Sequence, residues 1–279
     1  METVYYNGDF CSREELKIPL SDRSIFFGDG IYDAAVGRGG GIHLEKEHIE
    51  RFLSNAKRMG ITSPLDGEEL SSLLHKLIEL NGYTEYFIYL QLSAYSKERR
   101  HEARDKERSN LLITVKEHTL PDPKKYLRLR STPDIRYYMC DVKTLNLLPS
   151  VLASEASFNS GYNETLFVRG ETVTECAHSN VFIVKNGILK THPKSNLILP
   201  GVTRERLIKI ARSLGVETVE SPFTLKEALE ADEVLITATG KLCLGVSHID
   251  GKELSLSGNI GEVLKRELMR DYESCVPRG

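Results

Sequence analysis

The stretch TLPDPKK at residues 119–125 limits the fold more than any other feature of this chain of 279 residues. Each proline lacks the backbone N–H that a helix or a sheet uses, and it also restricts the residue before it. We therefore predict an interdomain linker at 119–125, an N-terminal α/β domain over 1–118 and a C-terminal α/β domain over 126–279.

Short strand patterns and amphipathic helix patterns are mixed in both halves. In the first half, Asn7-Gly8 indicates a hairpin, helical patterns cover 44–59 and 66–82, and strands are expected near 86–92 and 111–115. In the second half, further helices are expected to begin near Pro149, Thr203, Thr224 and Ile260, with hairpin turns at 169–171 and 185–187 and strands near Val234 and Val246. The expected fold class is α/β, in the mixed α+β sense.

The charge of the chain argues against a nucleic-acid partner. Lysine and arginine number 37 against 40 acidic residues, for a net charge of -3, and no segment forms a basic stripe. We expect a small-molecule partner instead. Five cysteines without a C-x-x-C pair predict neither a disulfide nor a metal site. They suit a reducing compartment, and with no leader-like or membrane-spanning pattern we predict a cytoplasmic protein.

Two residues could carry chemistry on a carbonyl cofactor. Lys143 follows the apolar-rich stretch 135–140, so we expect it at a strand's end facing a cleft. An amine attacks an aldehyde only when neutral, and burial beside another cation lowers a lysine pKa. A solvated loop lysine is the alternative. Glu175 lies on a half-buried strand and would need a cationic partner, such as a protonated pyridine nitrogen, unless it faces water from an edge strand.

Phosphate could be bound at three places. Gly201-Val202-Thr203-Arg204 precedes a helix, and 237–240 (TATG) follows a strand, so both offer N–H or hydroxyl donors. Each could instead be an ordinary helix cap or turn. Arg51 lies opposite the apolar face of its helix. It is therefore either solvated or part of a polar stripe with His48 and Asn55 that faces a ligand.

The charged run at residues 96–108 is expected to be a solvated loop between two strands. It contains Arg99 and, two residues on, His101. An arginine and a histidine so spaced could clamp a substrate carboxylate, which is the alternative to a purely solvated loop.

Taken together, these residues resemble the fold-type IV pyridoxal phosphate enzymes over nearly the whole chain. That family includes D-amino acid aminotransferases, branched-chain aminotransferases and aminodeoxychorismate lyases. The motifs that carry the resemblance occur in the family's order: Phe27-Gly28-Asp29-Gly30-Ile31-Tyr32, Glu47-His48-Ile49-Glu50-Arg51, Lys143-Thr144-Leu145-Asn146, Thr174-Glu175, Ser179-Asn180-Val181-Phe182 and Gly201-Val202-Thr203-Arg204. The stretch 140–148 (CDVKTLNLL) is most similar to the D-amino acid aminotransferases.

The resemblance implies a two-domain fold with pyridoxal 5'-phosphate at the domain interface. It implies that Lys143 is the Schiff-base lysine and that Glu175 is the partner of the pyridine nitrogen. The remaining matched residues are a phosphate cup (Arg51, Val202, Thr203 and Thr239) and a substrate-carboxylate trap (Tyr32, Arg99 and His101). In that subgroup the arginine–histidine loop usually comes from the partner subunit, which implies a homodimer.

The implied reaction is ping-pong transamination between an amino acid and a 2-oxo acid, with a D-amino acid such as D-alanine as donor and 2-oxoglutarate as acceptor. A branched-chain L-aminotransferase, an (R)-amine transaminase, an aminodeoxychorismate lyase and a catalytically silent cofactor-binding scaffold stay open as alternatives. Ala177-His178 and the glycine-rich 37–41 depart from the pattern, which puts the substrate range in doubt.

Overall fold

The computed structural model describes residues 2–276. The chain forms two compact units. The first comprises Met1–Thr119, Val142–Asn146 and Tyr272–Gly279, and the second comprises Leu120–Asp141 and Leu147–Asp271.

An antiparallel sheet forms the centre of the first unit. Its strands are β1 (Thr3–Tyr6), β2 (Asp9–Ser12), β3 (Gly30–Arg38), β4 (Gly41–Ile42), β5 (Glu85–Tyr95) and β6 (Asp105–Glu117). They are arranged in the order β2-β1-β6-β5-β3-β4. The helices of this unit are α1 (Arg23–Phe27), α2 (Glu45–Arg58) and α3 (Gly67–Asn81).

The predicted hairpin and both predicted helices of this unit are confirmed. Asn7 and Gly8 adopt positive φ values of 51° and 106°, as a two-residue turn between β1 and β2 requires. Asp66 and Glu69 form a complete capping box at the start of α3. The apolar faces of α2 and α3 supply buried Phe52 and further core side chains, which fixes both helices to the sheet.

The sequence does not predict strand β3, because its stretch GIYDAAVGR lacks a regular apolar alternation. The pairing of β3 with β5 runs from Gly30 opposite Ser93 to Arg38 opposite Glu85, and this tertiary contact decides its conformation. The charged run at 96–108 is only partly a loop, since β6 begins at Asp105 and pairs there with Tyr95.

A second, mixed sheet forms the centre of the other unit. Its strands are β7 (Tyr126–Pro133), β8 (Glu164–Arg169), β9 (Thr172–Cys176), β10 (Asn180–Lys185), β11 (Ile188–Thr191), β12 (Thr218–Glu220), β13 (Phe223–Thr224), β14 (Glu233–Ala238), β15 (Leu242–Ile249) and β16 (Lys252–Glu253). The order is β12-β11-β10-β14-β15-β7-β8-β9-β13, with β16 beside β15. The helices are α4 (Leu148–Asn159), α5 (Val202–Ser213), α6 (Leu225–Leu229) and α7 (Ile260–Glu273), and the last residues of α7 count with the first unit.

Side chains from the strands of this sheet form the core of the second unit. Buried Leu129, Leu166, Phe223 and Ile236 belong to one continuous apolar cluster. Strands from early and late in the sequence of the second unit therefore share one core. Residues 118–125 contain neither helix nor strand. Within residues 2–276, none of the helices combines the length and apolar character that crossing a bilayer needs.

The expectation for Lys143 was wrong in its local structure. No strand covers 135–140, because β7 ends at Pro133, and Lys143 lies in an irregular segment. Its segment, Val142–Asn146, also belongs to the first unit and not to a continuous C-terminal domain. The reason is hydrogen bonding to the first unit's sheet: the Tyr32 N–H donates to the Lys143 carbonyl over 2.9 Å, and the Leu145 N–H donates to the Gly30 carbonyl over 3.0 Å.

Candidate functional site

Two glycines let the Lys143 segment approach strand β3. Gly28 ends α1 with φ of +58°, a conformation that other residues adopt only under strain. At Gly30, a β-carbon would lie 2.7 Å from both the Leu92 carbonyl oxygen and the Leu145 side chain. The glycine motif at 28–30 therefore serves a close backbone approach within the first unit.

Lys143 lies next to aromatic side chains. Its Nζ is 4.2 Å from the centroid of the Tyr32 ring, and Tyr32 in turn stacks on Tyr89 with 5.6 Å between ring centroids. The lysine is half-buried. An ammonium over an aromatic face is attracted by the ring quadrupole, so Tyr32 orients Nζ without neutralising it by a carboxylate. The solvated-lysine alternative is wrong.

Next to Tyr32, the fully buried carboxylate of Asp33 organises the polar side of α2. The Arg51 Nε donates to Asp33 Oδ2 and the Arg51 Nη2 donates to Asp33 Oδ1, both over 2.8 Å, which makes a bidentate pair. The His48 Nδ1 lies 2.8 Å from the same Oδ1. The alternative of a solvated Arg51 is therefore wrong, because β3 covers the stripe formed by His48, Arg51 and Asn55.

The charges around Asp33 determine its protonation and that of His48. Burial raises the pKa of Asp33, but the Arg51 charge and the His48 hydrogen bond bring that pKa well below its ordinary value. Burial lowers the pKa of His48; Asp33 opposes this, and the charges of Arg51 and Lys143 add to it. His48 is thus neutral at neutral pH, with Nδ1 carrying the proton toward the carboxylate.

In the second unit, Glu175 is a fixed carboxylate on β9. It is 5% exposed, so the water-facing alternative is wrong. Its Oε1 accepts a hydrogen bond from Arg136 Nη1 over 2.5 Å, and its Oε2 accepts from Asn180 Nδ2 over 2.9 Å and from the Leu199 N–H over 3.0 Å. These three donors fix the orientation of the carboxylate.

Asp134 and Arg136 support Glu175, and sequence reasoning missed both. Arg136 Nε and Nη2 each donate to an oxygen of Asp134 over 3.0 Å. Burial lowers the pKa of Arg136, but its hydrogen bonds to Asp134 and the charges of Glu175 and Asp134 raise it above its ordinary value overall. The available signal was an Asp-x-Arg pair just after a strand, which the apolar residues around it obscure.

At the start of α5, uncapped backbone N–H groups lie beside a close contact between Gly201 and Asn180. Gly201 is its N-cap, and within the described chain no side chain caps this end. A β-carbon on Gly201 would lie 2.1 Å from Asn180 Oδ1, so a larger residue here would displace the Asn180 side chain. Asn180 Nδ2 also donates to the Leu199 carbonyl over 2.9 Å. One asparagine thus ties Glu175 to the loop that leads into Val202 and Thr203.

The turn after β14 lies in the same unit. Thr239 is half-buried in this turn, and the Lys241 N–H donates to the Ala238 carbonyl over 3.1 Å. The buried Thr237 Oγ1, on the strand that leads into the turn, has no hydrogen-bond partner within the described residues. A buried hydroxyl without a partner is costly unless a ligand satisfies it.

A further buried carboxylate, Glu164, lies next to His178, one of the departures from the family pattern. Its oxygens accept from Ser179 Oγ over 2.9 Å and lie 3.3 Å from both His178 Nδ1 and Lys241 Nζ. Burial raises the pKa of Glu164, but the hydrogen bond from His178 and the Lys241 charge bring it down to about 2. His178 therefore has a structural partner, which its sequence position did not reveal.

The side chains of Arg99 and His101 are both exposed on the loop after β5. The guanidinium carbon of Arg99 lies 5.4 Å from the centre of the Phe27 ring, and the His101 ring centroid lies 5.0 Å from it. The structure therefore brings this predicted pair together on one aromatic residue.

The predicted site residues therefore lie in both units. Lys143, Tyr32 and Arg51 belong to the first unit, and Glu175, Val202, Thr203 and Thr239 belong to the second. Among residues 2–276 no group of three or more histidine, cysteine or acidic side chains could hold a metal ion.

Comparison with known proteins identifies similar sequences. Residues 30–249 match the model of the amino-transferase class IV family. The chain is 34% identical to a D-alanine aminotransferase of Staphylococcus aureus (strain N315) over 282 residues, covering 99% of this chain and 98% of that protein. It is also 34% identical to a D-alanine aminotransferase of Listeria monocytogenes serotype 1/2a (strain 10403S), covering 90% and 89%.

Solved structures with low sequence identity share the fold. A branched-chain aminotransferase of Thermoproteus uzoniensis with norvaline is 24% identical with a TM-score of 0.87, covering 98% of this chain and 97% of that one. A branched-chain amino acid aminotransferase from Escherichia coli is 20% identical with a TM-score of 0.86, covering 96% of this chain and 93% of that one. The predicted mixed α/β fold is confirmed.

Proposed function

Because this chain belongs to the class IV aminotransferases, a family of pyridoxal phosphate enzymes, we propose that it transfers the amino group of a D-amino acid to a 2-oxo acid. The proposed donor is D-alanine and the proposed acceptor is 2-oxoglutarate. One observation supports the D-amino acid preference above all: Arg99 and His101 are exposed together on the Phe27 ring, as a carboxylate-binding pair would be.

The residues present fit pyridoxal 5'-phosphate. The uncapped first turn of α5, with Val202 and Thr203, offers backbone N–H groups at the positive end of a helix dipole, which suits a phosphate. The buried Thr237 Oγ1 without a partner, and Thr239 in the turn that follows, suit the same dianion. Arg51, held by Asp33, would add a cation to this phosphate-binding set.

When bound, the cofactor supplies an aldehyde for the amino group and a ring that delocalises the electrons left when the α-proton departs. Lys143 Nζ, which Tyr32 orients, would hold the cofactor. The same Nζ would then act as the base that takes the α-proton and as the acid that returns it. The Glu175 carboxylate, fixed by Arg136 and Asn180, would keep the pyridine nitrogen protonated. Tyr32, Arg99 and His101 would bind the substrate carboxylate.

Covalent labelling tests the lysine assignment directly. Borohydride reduction of the cofactor-loaded protein, followed by peptide mapping, should place the label on Lys143. A label on another lysine refutes this role. Protein that takes up pyridoxal phosphate but transfers no amino group would favour the silent-scaffold alternative.

A substrate screen tests the proposed donor. D-Alanine with 2-oxoglutarate should yield pyruvate and glutamate with ping-pong kinetics. Activity with L-leucine but not D-alanine would indicate a branched-chain L-aminotransferase, and activity with (R)-amines alone would indicate an amine transaminase. Pyruvate from aminodeoxychorismate without an amino acceptor would indicate the lyase.

We also propose a homodimer, which the outer face of α4 supports. Leu148 is 66% exposed, Leu152 is 54% exposed and Phe158 is 78% exposed, although all are large apolar side chains. Contiguous exposed apolar side chains of this kind mark protein interfaces. Light scattering should report twice the chain mass, and Leu152→Lys with Phe158→Lys should shift the protein toward the monomer. The predicted cytoplasmic location stays a prediction.

Subunit mixing tests whether the carboxylate-binding loop acts across the dimer. Neither Lys143→Ala nor Arg99→Ala should be active alone. If each loop serves its partner, co-refolding the two variants restores one intact site in every mixed dimer, and a random mixture regains about a quarter of the wild-type activity. No recovery would show that the loop serves its own subunit.

A further inference from the structure

We propose that α1 and Asp29 position the Arg99–His101 pair for the substrate carboxylate, through a clamp formed by Arg23, Asp29 and Arg104. The inference depends on the proposed function, because it assigns these three residues to carboxylate recognition in that reaction. They are positioning residues, since they act through Arg99 and His101.

The clamp holds the backbone of the loop from one side. Arg23 is buried, and its Nη1 donates to the Arg100 carbonyl over 2.7 Å while its Nη2 donates to the His101 carbonyl over 3.0 Å. Its Nε donates to Asp29 Oδ2 over 2.7 Å. One guanidinium therefore uses its donors on a carboxylate and on two successive carbonyls of the loop, which fixes the loop's path.

From the other side, Arg104 anchors the point where the loop re-enters the sheet. Its Nε donates to the same Asp29 Oδ2 over 2.9 Å, its Nη2 pairs with Asp29 Oδ1, and its Nη1 donates to the Met59 carbonyl over 2.7 Å. Burial raises the pKa of Asp29, but hydrogen bonds from Arg104 and Arg23 lower it overall, so the carboxylate stays charged. Because Arg23 and Arg104 both bind the buried Asp29 carboxylate, the middle and the end of the loop are attached to the same residue.

The side chains of the pair rest on the same helix that carries Arg23. The Phe27 ring lies 4.5 Å from the Arg23 guanidinium carbon and 5.4 Å from that of Arg99, and it also packs against the ring of His101. Phe26 adds a second contact to Arg99 at 5.5 Å. These ring contacts restrict two side chains that are otherwise exposed, which lowers the entropy that binding a carboxylate must overcome.

The charge balance favours an anion as the ligand. Arg23 and Arg104 bring two positive charges to Asp29, which supplies one negative charge. Arg99 adds a further positive charge on the same aromatic ring. On the same loop Arg100 pairs with Glu102 and lies 3.9 Å from Glu98, so four arginines face three carboxylates. The remaining positive charge is what an α-carboxylate would need, and it would repel a cationic group placed there.

The test uses the cofactor-loaded protein and two variants. Arg104→Gln removes the anchor at a partly exposed residue, and Phe27→Leu removes the ring while keeping the clamp. Arg108→Gln is the matched control, because it removes the same charge from the same run on an exposed side chain. Arg104→Lys asks whether charge without the two-point pairing suffices.

Hydrogen exchange of residues 98–103 and the steady-state constants with D-alanine are measured together. We expect faster exchange in Arg104→Gln and KM values for D-alanine and 2-oxoglutarate raised about tenfold in both variants, with kcat within about twofold. Arg104→Lys should recover part of the affinity, and Arg108→Gln should match the wild type.

Two results would overturn the inference. Exchange that does not change in Arg104→Gln would show that the clamp does not hold the loop. Faster exchange with unchanged KM, or a loss confined to kcat, would show that the loop does not determine carboxylate binding. A wild-type protein that is inactive with D-alanine refutes the proposed function instead, and the hydrogen-exchange result still decides whether the clamp exists.

Discussion

The Asp33 cluster of the first unit and the Glu175 cluster of the second differ in their balance of positive and negative charges. Around Asp33, one carboxylate faces Arg51 and His48, and the charges of both Arg51 and Lys143 act on His48. Positive charge is in excess there. Around Glu175, two carboxylates are matched by two arginines, with Arg169 Nη2 lying 3.2 Å from Asp134.

This difference fits the two tasks of a pyridoxal phosphate enzyme. An excess of positive charge favours an anionic ligand, and the charges of Arg51 and Lys143 add to the lowering of the His48 pKa that burial mainly causes. A balanced, fully hydrogen-bonded carboxylate keeps its own charge and can hold a proton on a nearby ring nitrogen. A balanced charge around Asp33, or an excess of positive charge around Glu175, would therefore impair both tasks.

The largest expected effect is the loss of the amine in the first cluster. Lys143→Ala should lower kcat/KM for D-alanine by about 10⁴-fold, because no other group at that position would move the α-proton. The exposed Lys46→Ala is the control and should be unchanged. Residual activity within about tenfold of the wild type would contradict the assignment.

Removing the carboxylate from the first cluster should mainly cost stability. Asp33→Asn leaves the Arg51 guanidinium buried without this partner, and breaking a buried pair from one side costs about 3–5 kcal/mol. Urea unfolding measures the loss, with the exposed Asp9→Asn as the matched control. A loss of unfolding free energy under about 1 kcal/mol would mean that the positively charged cluster does not need the Asp33 charge.

The same change in the second cluster should mainly cost activity. Glu175→Gln leaves Arg136 paired with Asp134, so we expect a smaller stability loss than in Asp33→Asn. kcat should fall about 10²–10³-fold, as expected when one preorganised charge is removed. Glu171→Gln, at an exposed hairpin turn on the same sheet, is the control. If Glu175→Gln loses stability as Asp33→Asn does but keeps its rate, the contrast between the clusters is refuted.

The smallest effect should depend on pH. The pKa of Glu164 is lowered from 4.5 to about 2, so its ionised form contributes roughly 3 kcal/mol of stability above pH 4.5, and this is lost as the pH falls toward 2. Glu164→Gln should therefore be less stable than the wild type at pH 7, with the difference shrinking in acid. The exposed Glu155→Gln should show no such trend in parallel urea titrations. A difference that is constant with pH would contradict this explanation.

Sequence by itself determined the elements whose signals are local. The Asn7-Gly8 turn needs positive φ, the Asp66 and Glu69 box satisfies free N–H groups at a helix start, and the apolar period of α2 and α3 marks their buried faces. Motif resemblance likewise predicted the family, because the order of its charged residues and of the glycines at close backbone approaches can be read directly from the sequence.

Only the tertiary structure decided which polar groups meet. Arg51 looks solvated on a helical wheel, yet Asp33 of β3 covers it, and Lys143 lies on the first unit's sheet although it follows the linker by 18 residues. Asp134, Arg136 and Arg23 show no periodic signal, and the contacts that give them a role are long-range: Arg136 binds Glu175, 39 residues on, and Arg23 binds the carbonyls of Arg100 and His101. Charge pairing depends on distances through space, and one chain's residue order does not contain them.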